Sequence, residues 1–409
     1  MRPNFFRSVL GVAVLLLLSL VSSCGGSSST VNPLRPTRII AFGDAFSDVG
    51  NPGNSNGGLR YTIRGVTAEN SLKTPTTLAE TIANIYGLWG SNPVAMQTGQ
   101  TGAFPTTGLV SYAMGNSMIN PALTSTAKGG LGGSEVTLTE QVKDYLARVD
   151  NKVGSNDLIL ITAGTRDLFS LAYRYFGSVG VKKLDGTAHV LDATLLAQLG
   201  GAMTEEQVYA QLDDTVAKMI AVVESLRAAG AKHVLLVEPM NLSRTPWGLS
   251  LDKTATDFLR SLSYDTDTSC VKNNQKNSFH CKLTIELVKR YPATVNGQFV
   301  LAVDQAQLFN LISGTTATGS ANTYLPYFSQ LPNAMACAVT TPGAPPVVDP
   351  NYSALDLART KGCDASATVW TNTGYTAFLF ADPLNLTPQG NALLASSIYN
   401  SNMFRAAWR

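Results

Sequence analysis

The sequence predicts an α/β fold, a three-layer sandwich with a mainly parallel central sheet and long loops. Three observations carry that expectation. Near-continuous apolar runs recur at residues 37–42, 157–164, 233–239 and 299–304, as in strands covered on both faces. Segments with apolar residues at helical spacing lie between them. The chain has no internal repeat and no break in composition sharp enough for a second domain.

Taken in order, residues 1–23 read as an export signal. Arg2 and Arg7 flank the start of a short apolar run at 9–21, and Ser22-Ser23-Cys24 follows. The run is too short and too early to favour a permanent membrane span. The cysteine after two serines resembles a bacterial lipobox, which would lipidate Cys24 and make it the mature N-terminus; plain secretion is the alternative. Residues 24–36 then form a flexible tether rich in glycine and serine, and 37–409 form one domain. Residue 25 is Gly25 and not aspartate, which for lipoproteins of this kind implies outer-membrane sorting in a bacterial envelope.

Residues 37–42 are the first strand, and 51–64 a loop rich in glycine and asparagine. A helix follows through Tyr86, opened by Thr74 and Pro75, with Leu78, Ile82 and Ile85 on one face. Residues 93–132 are poor in charge and rich in glycine, threonine and serine, and no strand or helix is expected from them. Residues 137–149 are helical, with Leu138, Val142 and Leu146 in phase. After the strand at 157–164 comes a polar loop, Thr165-Arg166-Asp167. The longest helical signal is 203–229, opening at Thr204 and stopped by Gly230. The strand at 233–239, a helix at 284–291 and the strand at 299–304 complete the alternation. Residues 313–374 read as loop, and 391–403 as the closing helix.

Bulk composition excludes some functions. Of 409 residues only 14% are charged, and the net charge of +2 is scattered, so no nucleic-acid surface is expected. The cysteines beyond Cys24 number four in an exported chain. Their proximity favours disulfides Cys270–Cys281 and Cys337–Cys363. Metal binding is the weaker alternative, because the chain has no Cys-x-x-Cys and only three histidines, His189, His233 and His280. No metal site and no cofactor are expected.

The stretch Gly43-Asp44-Ala45-Phe46-Ser47-Asp48-Val49-Gly50-Asn51 closely resembles the first block of the GDSL, or SGNH, family of ester hydrolases. Three further blocks occur in the family's order: Tyr112-Ala113-Met114-Gly115, Gly164-Thr165-Arg166-Asp167 and Asp382-Pro383-Leu384-Asn385. The resemblance spans about 37–404. It implies the fold given above, with Ala45 where the nucleophilic serine belongs and Gly115 as one oxyanion donor. A glycine kept only for a tight turn is the alternative reading of Gly115. Arg166 stands in place of the oxyanion asparagine, and Asn385 in place of the base histidine beside Asp382.

A methyl group cannot attack a carbonyl, and an amide cannot take a proton near neutral pH. The expectation is therefore an esterase- or lipase-like lipoprotein without ester hydrolase activity, with a binding or scaffolding role. Arg166 either pairs with Asp382 or Asp44 and fills the old site, or binds an acyl-type or anionic small molecule, with Asp44 as a further ligand residue. Ser47 is the nearest substitute nucleophile, but none of the three histidines falls where a base is needed. The competing expectations are an active carboxylic-ester hydrolase using non-standard residues, and a structural envelope protein without a ligand.

Overall fold

The structure, a computed structural model, describes residues 33–64, 75–90, 93–125, 129–130, 134–264, 270, 276–292, 299–306, 335–337, 362–364, 375–401, 404 and 408. The signal, Cys24 and residues 25–32 of the tether lie outside them, as does most of 313–374.

Six parallel strands form the central sheet: β1 (Arg38–Gly43), β3 (Val94–Ala95), β4 (Gly108–Ser111), β5 (Asp157–Thr162), β6 (His233–Val237) and β7 (Val300–Val303), in the order β3-β4-β1-β5-β6-β7. A short pair, β2 (Ile63–Arg64) with β8 (Cys363–Asp364), lies apart from it. Every residue of β5 is buried, and β1 is buried from Ile39 onward, which is why both read as unbroken apolar runs. Helices complete a three-layer α/β fold. On one side α2 (Leu138–Arg148), α3 (Thr165–Val179), α5 (Glu205–Ala228), α7 (Lys253–Ser263) and α8 (Phe279–Arg290) pack among themselves, and on the other α1 (Leu78–Ile85) packs on α9 (Pro388–Asn400). Two short helices, α4 (Ala193–Gln198) and α6 (Pro246–Leu249), join them.

Several boundaries differ from the sequence reading. Residues 165–167 are not a loop but the first turn of α3, because Gly164, at φ +113°, turns the chain straight from strand to helix. The first helix is capped by Thr77 rather than Thr74, since Glu80 closes a capping box with it. Ser278 caps α8, which starts at Phe279, five residues before the predicted start at 284, and Thr387 caps α9 before Pro388. Residues 93–132 contain strands β3 and β4. Helices α3, α4, α6 and α7 were not anticipated.

Both expected disulfides are present. Cys270 joins Cys281 in the first turn of α8, and Cys337 joins Cys363 in β8. The second bond braces a small apolar cluster of Ile63, Ala336, Ala377, Phe378 and Ala381 beneath the Asp382 loop. Among the described residues no helix is long and apolar enough to cross a membrane.

Strand order reverses at β1: the chain runs from β1 to β4 on one side, then crosses to β5 on the other. Open α/β sheets place ligands beyond the carboxyl ends of strands at such a switch point. Here that point is the pair of turns leaving β1 and β5, which carry Ala45 and Arg166.

Candidate functional site

The turn after β1 is fixed by close packing. Gly43 has φ +119°, and a Cβ on it would sit 1.8 Å from the Thr162 carbonyl oxygen at the end of β5. Only glycine fits. Gln141 of α2 clamps this residue, accepting from its N–H at 2.8 Å and donating to its carbonyl at 3.1 Å. Asp44 then donates its N–H to Thr162 O at 2.8 Å, and Ala45 follows, buried.

Asp48 organises the rest of the loop. Its Oδ1 accepts from the N–H groups of Gly50 and Asn51, and its Oδ2 from Asn54 Nδ2 and from the N–H of Gly115, both near 2.8 Å. The backbone donor that the resemblance assigns to an oxyanion thus already serves a carboxylate. Tyr61 lies flat against Gly115, where a Cβ would meet its ring at 1.9 Å. The tyrosine is anchored by Ser55 and Glu135.

Arg166, in the first turn of α3, is 1% exposed. Its Nε donates to Gly115 O and its Nη2 to Asn385 Oδ1, each at 3.3 Å. Asn385 in turn donates its side-chain amide to Asp382 Oδ2 at 2.7 Å and its backbone N–H to Asp382 Oδ1 at 2.8 Å. Leu384 and Gly362 supply two further N–H donors to the same carboxylate. The expected direct pairing of Arg166 with Asp382 or Asp44 is therefore corrected: no such ion pair forms among the described residues, and Asn385 stands between the guanidinium and Asp382. A side chain of asparagine length reaches both partners, offering an oxygen to one and an N–H to the other.

Asp44 faces the same space. Burial pushes its carboxyl up to about 7, with Arg166 pulling the other way. Burial likewise raises Asp48 and Asp167 to about 6, and Asp382 upward. Asp167 accepts from the N–H groups of Ile119 and Asn120, so it holds the loop after Gly115. Among the described residues Asp44 Oδ2, Asn116 Oδ1 and Arg166 Nη1 are buried without a hydrogen-bond partner.

The structure thus brings Asp44, Ala45, Gly115, Arg166, Asp382 and Asn385 to one edge of the sheet, as the motifs predict. The substitute groups fare differently. Ser47 is fully buried, and its hydroxyl accepts from Thr162 Oγ1 at 2.7 Å. His233 opens β6 at the opposite edge, paired in register with Leu158. His189 follows α3, whose 15 residues carry the chain about 22 Å from the turn at Arg166. His280 is held by Glu238 from another strand end.

Tyr61, Gln141 and Glu135 were not singled out from sequence. The Tyr61 and Gln141 contacts with motif glycines cross 54 and 98 positions, too far for local pattern to reveal. No protein-family model and no curated protein matches the chain.

Proposed function

We propose that this protein is a non-catalytic relative of the SGNH ester hydrolases, an exported lipoprotein of the bacterial envelope that keeps the fold and uses it for binding or scaffolding. The observation that carries this reading is the line of contacts Asp382–Asn385–Arg166–Gly115. It passes through the positions that would hold base and oxyanion donors, and each of those groups is engaged internally. Ala45 offers no nucleophile at the turn where one belongs. The fully buried Ser47 hydroxyl has a threonine, not a base, as its neighbour, which argues against relocated attack.

The same geometry favours a plug over an anion receptor. Arg166 is buried and directed at two protein acceptors, so it fills the old site instead of presenting its charge to solvent. Binding or scaffolding then falls to surfaces outside this cluster. Attachment through a lipid on Cys24 would place the domain at the outer membrane.

The test is turnover of short acyl esters by the purified chain, combined with labelling by a serine-directed phosphonate. The reading predicts hydrolysis at the buffer rate and no covalent adduct. Turnover above that rate, lost in Ser47→Ala, would establish the rival reading of an active ester hydrolase with a displaced nucleophile.

A further inference from the structure

A second cluster of polar side chains sits at the carboxyl edge of the sheet, built by other strands. The register pairs Val237 of β6 with Val303 of β7, so the next residues, Glu238 and Asp304, leave adjacent strand ends side by side. Their backbones stay coupled, Glu238 donating its N–H to Val303 O at 3.1 Å. His280, in the first turn of α8, inserts between the two carboxylates. Its Nδ1 lies 2.7 Å from Glu238 Oε2, and its Nε2 lies 3.7 Å from Asp304 Oδ2.

The two separations have different chemistry. The first is a short hydrogen bond with a carboxyl group that is only 2% exposed, which fixes the ring with Nε2 toward Asp304; when Glu238 is ionised it accepts from Nδ1–H. The second is beyond hydrogen-bond reach. It matches two ligands of one cation, since bonds of about 2.0–2.2 Å at a somewhat widened tetrahedral angle hold imidazole nitrogen and carboxylate oxygen roughly 3.4–3.7 Å apart. A buried carboxylate on one imidazole nitrogen with a metal on the other is the usual way such ligands are oriented.

The surroundings are rigid and reachable. Ser278 caps α8 through the N–H of Cys281, and the Cys270–Cys281 disulfide locks the residue next to His280. His280 and Asp304 keep about a fifth of their side-chain surface exposed, enough for an ion to enter.

We propose that His280 Nε2 and Asp304 bind one divalent transition cation of the zinc type, with Glu238 as the positioning residue that holds the imidazole from behind. One imidazole and one carboxylate suit zinc better than calcium or magnesium, which prefer oxygen-only shells. The remaining positions on the ion belong to water or to a ligand. This departs from the sequence expectation of no metal site, and it does not depend on the proposed loss of esterase chemistry.

The experiment is a zinc chloride titration of the tag-free, metal-stripped full chain against a chromophoric chelator, with cobalt(II) spectra as a second readout. Wild type is expected to take up one saturable equivalent, and zinc is expected to raise its melting temperature. His280→Gln and Asp304→Asn should each abolish that equivalent. Glu238→Gln should keep it while weakening affinity about 10–100-fold. His233→Gln and His189→Gln should bind as wild type. Absence of saturable uptake by wild type overturns the proposal. So does unchanged affinity in His280→Gln or Asp304→Asn, and wild type alone decides should a variant fail to fold.

Discussion

Arg166 Nη2 donates to Asn385 Oδ1 at 3.3 Å, joining two residues 219 positions apart in the chain. Each would be out of place in an SGNH catalytic site. Together they close a hydrogen-bond path from Asp382 to the turn at Gly115. A buried guanidinium is costly to desolvate unless its donors are satisfied. Here two nitrogens find acceptors, while Nη1 has none among the described residues.

That balance predicts how position 166 responds to substitution. Arg166→Ala leaves a cavity and strands the Asn385 and Gly115 oxygens, for a loss of about 2–5 kcal/mol. Arg166→Met strands the same oxygens but keeps most of the volume, so it should cost less than Arg166→Ala by the cavity share, about 1–3 kcal/mol. Urea unfolding midpoints compare the two. Equal losses would mean that the charge, not the volume, is what the site requires.

Asp44 gives a pH prediction. Burial raises its carboxyl from the ordinary 3.8 to about 7, against the pull of Arg166 and with Asp167 adding to the rise. The folded chain therefore holds this proton more tightly than the unfolded chain. The resulting stabilisation is full below about pH 4, falls as pH climbs toward about 7, and is flat above. Asp44→Asn should remove this dependence, so the variant gains on wild type by up to about 4 kcal/mol between pH ~4 and pH ~8. Paired urea curves across that range measure it, and a difference that shrinks with rising pH contradicts the assignment.

Gly115 and Tyr61 should be energetically coupled. A methyl at 115 would overlap the tyrosine ring, so Gly115→Ala alone should cost more than about 3 kcal/mol. Combined with Tyr61→Ala, which opens the space, the losses should fall short of additive by about 1–3 kcal/mol. A double-mutant cycle in urea reads this directly. Strict additivity would place the strain of Gly115→Ala elsewhere.

The disulfides should differ in weight. Cys337–Cys363 spans 26 positions and Cys270–Cys281 spans 11. Loop closure gives about 3.5 kcal/mol for the longer span and about 2.8 kcal/mol for the shorter. The Cys337→Ser/Cys363→Ser variant should thus melt below the Cys270→Ser/Cys281→Ser variant. The reverse order would show that local packing around Cys281 outweighs loop length.

The sheet was legible because burial on both faces leaves an apolar run without alternation, as in β1 and β5. The edge strand β3 and its neighbour β4 were not, being two and four residues long within a stretch rich in glycine, threonine and serine. Helix α3 carried its signal in Leu168, Leu171, Ala172 and Phe176, but a strand ending at Thr162, two residues before the Gly164 cap, left no room for the expected loop. At the site, local motifs located Ala45, Arg166 and Asn385. They could not reveal that Asn385 comes between Arg166 and Asp382, because that depends on side-chain reach across the fold. Glu238 was next to last and Asp304 last in two predicted strands, and only the register of β6 with β7 brings them together.

The proposed loss of ester-hydrolase chemistry involves three positions, Ala45, Arg166 and Asn385. Its most direct test is the triple variant Ala45→Ser, Arg166→Asn, Asn385→His, assayed on short acyl esters beside wild type and the three single variants. The account predicts turnover in the triple variant alone, sensitive to a serine-directed phosphonate. Hydrolysis by wild type, or by Ala45→Ser as fast as by the triple variant, would contradict it.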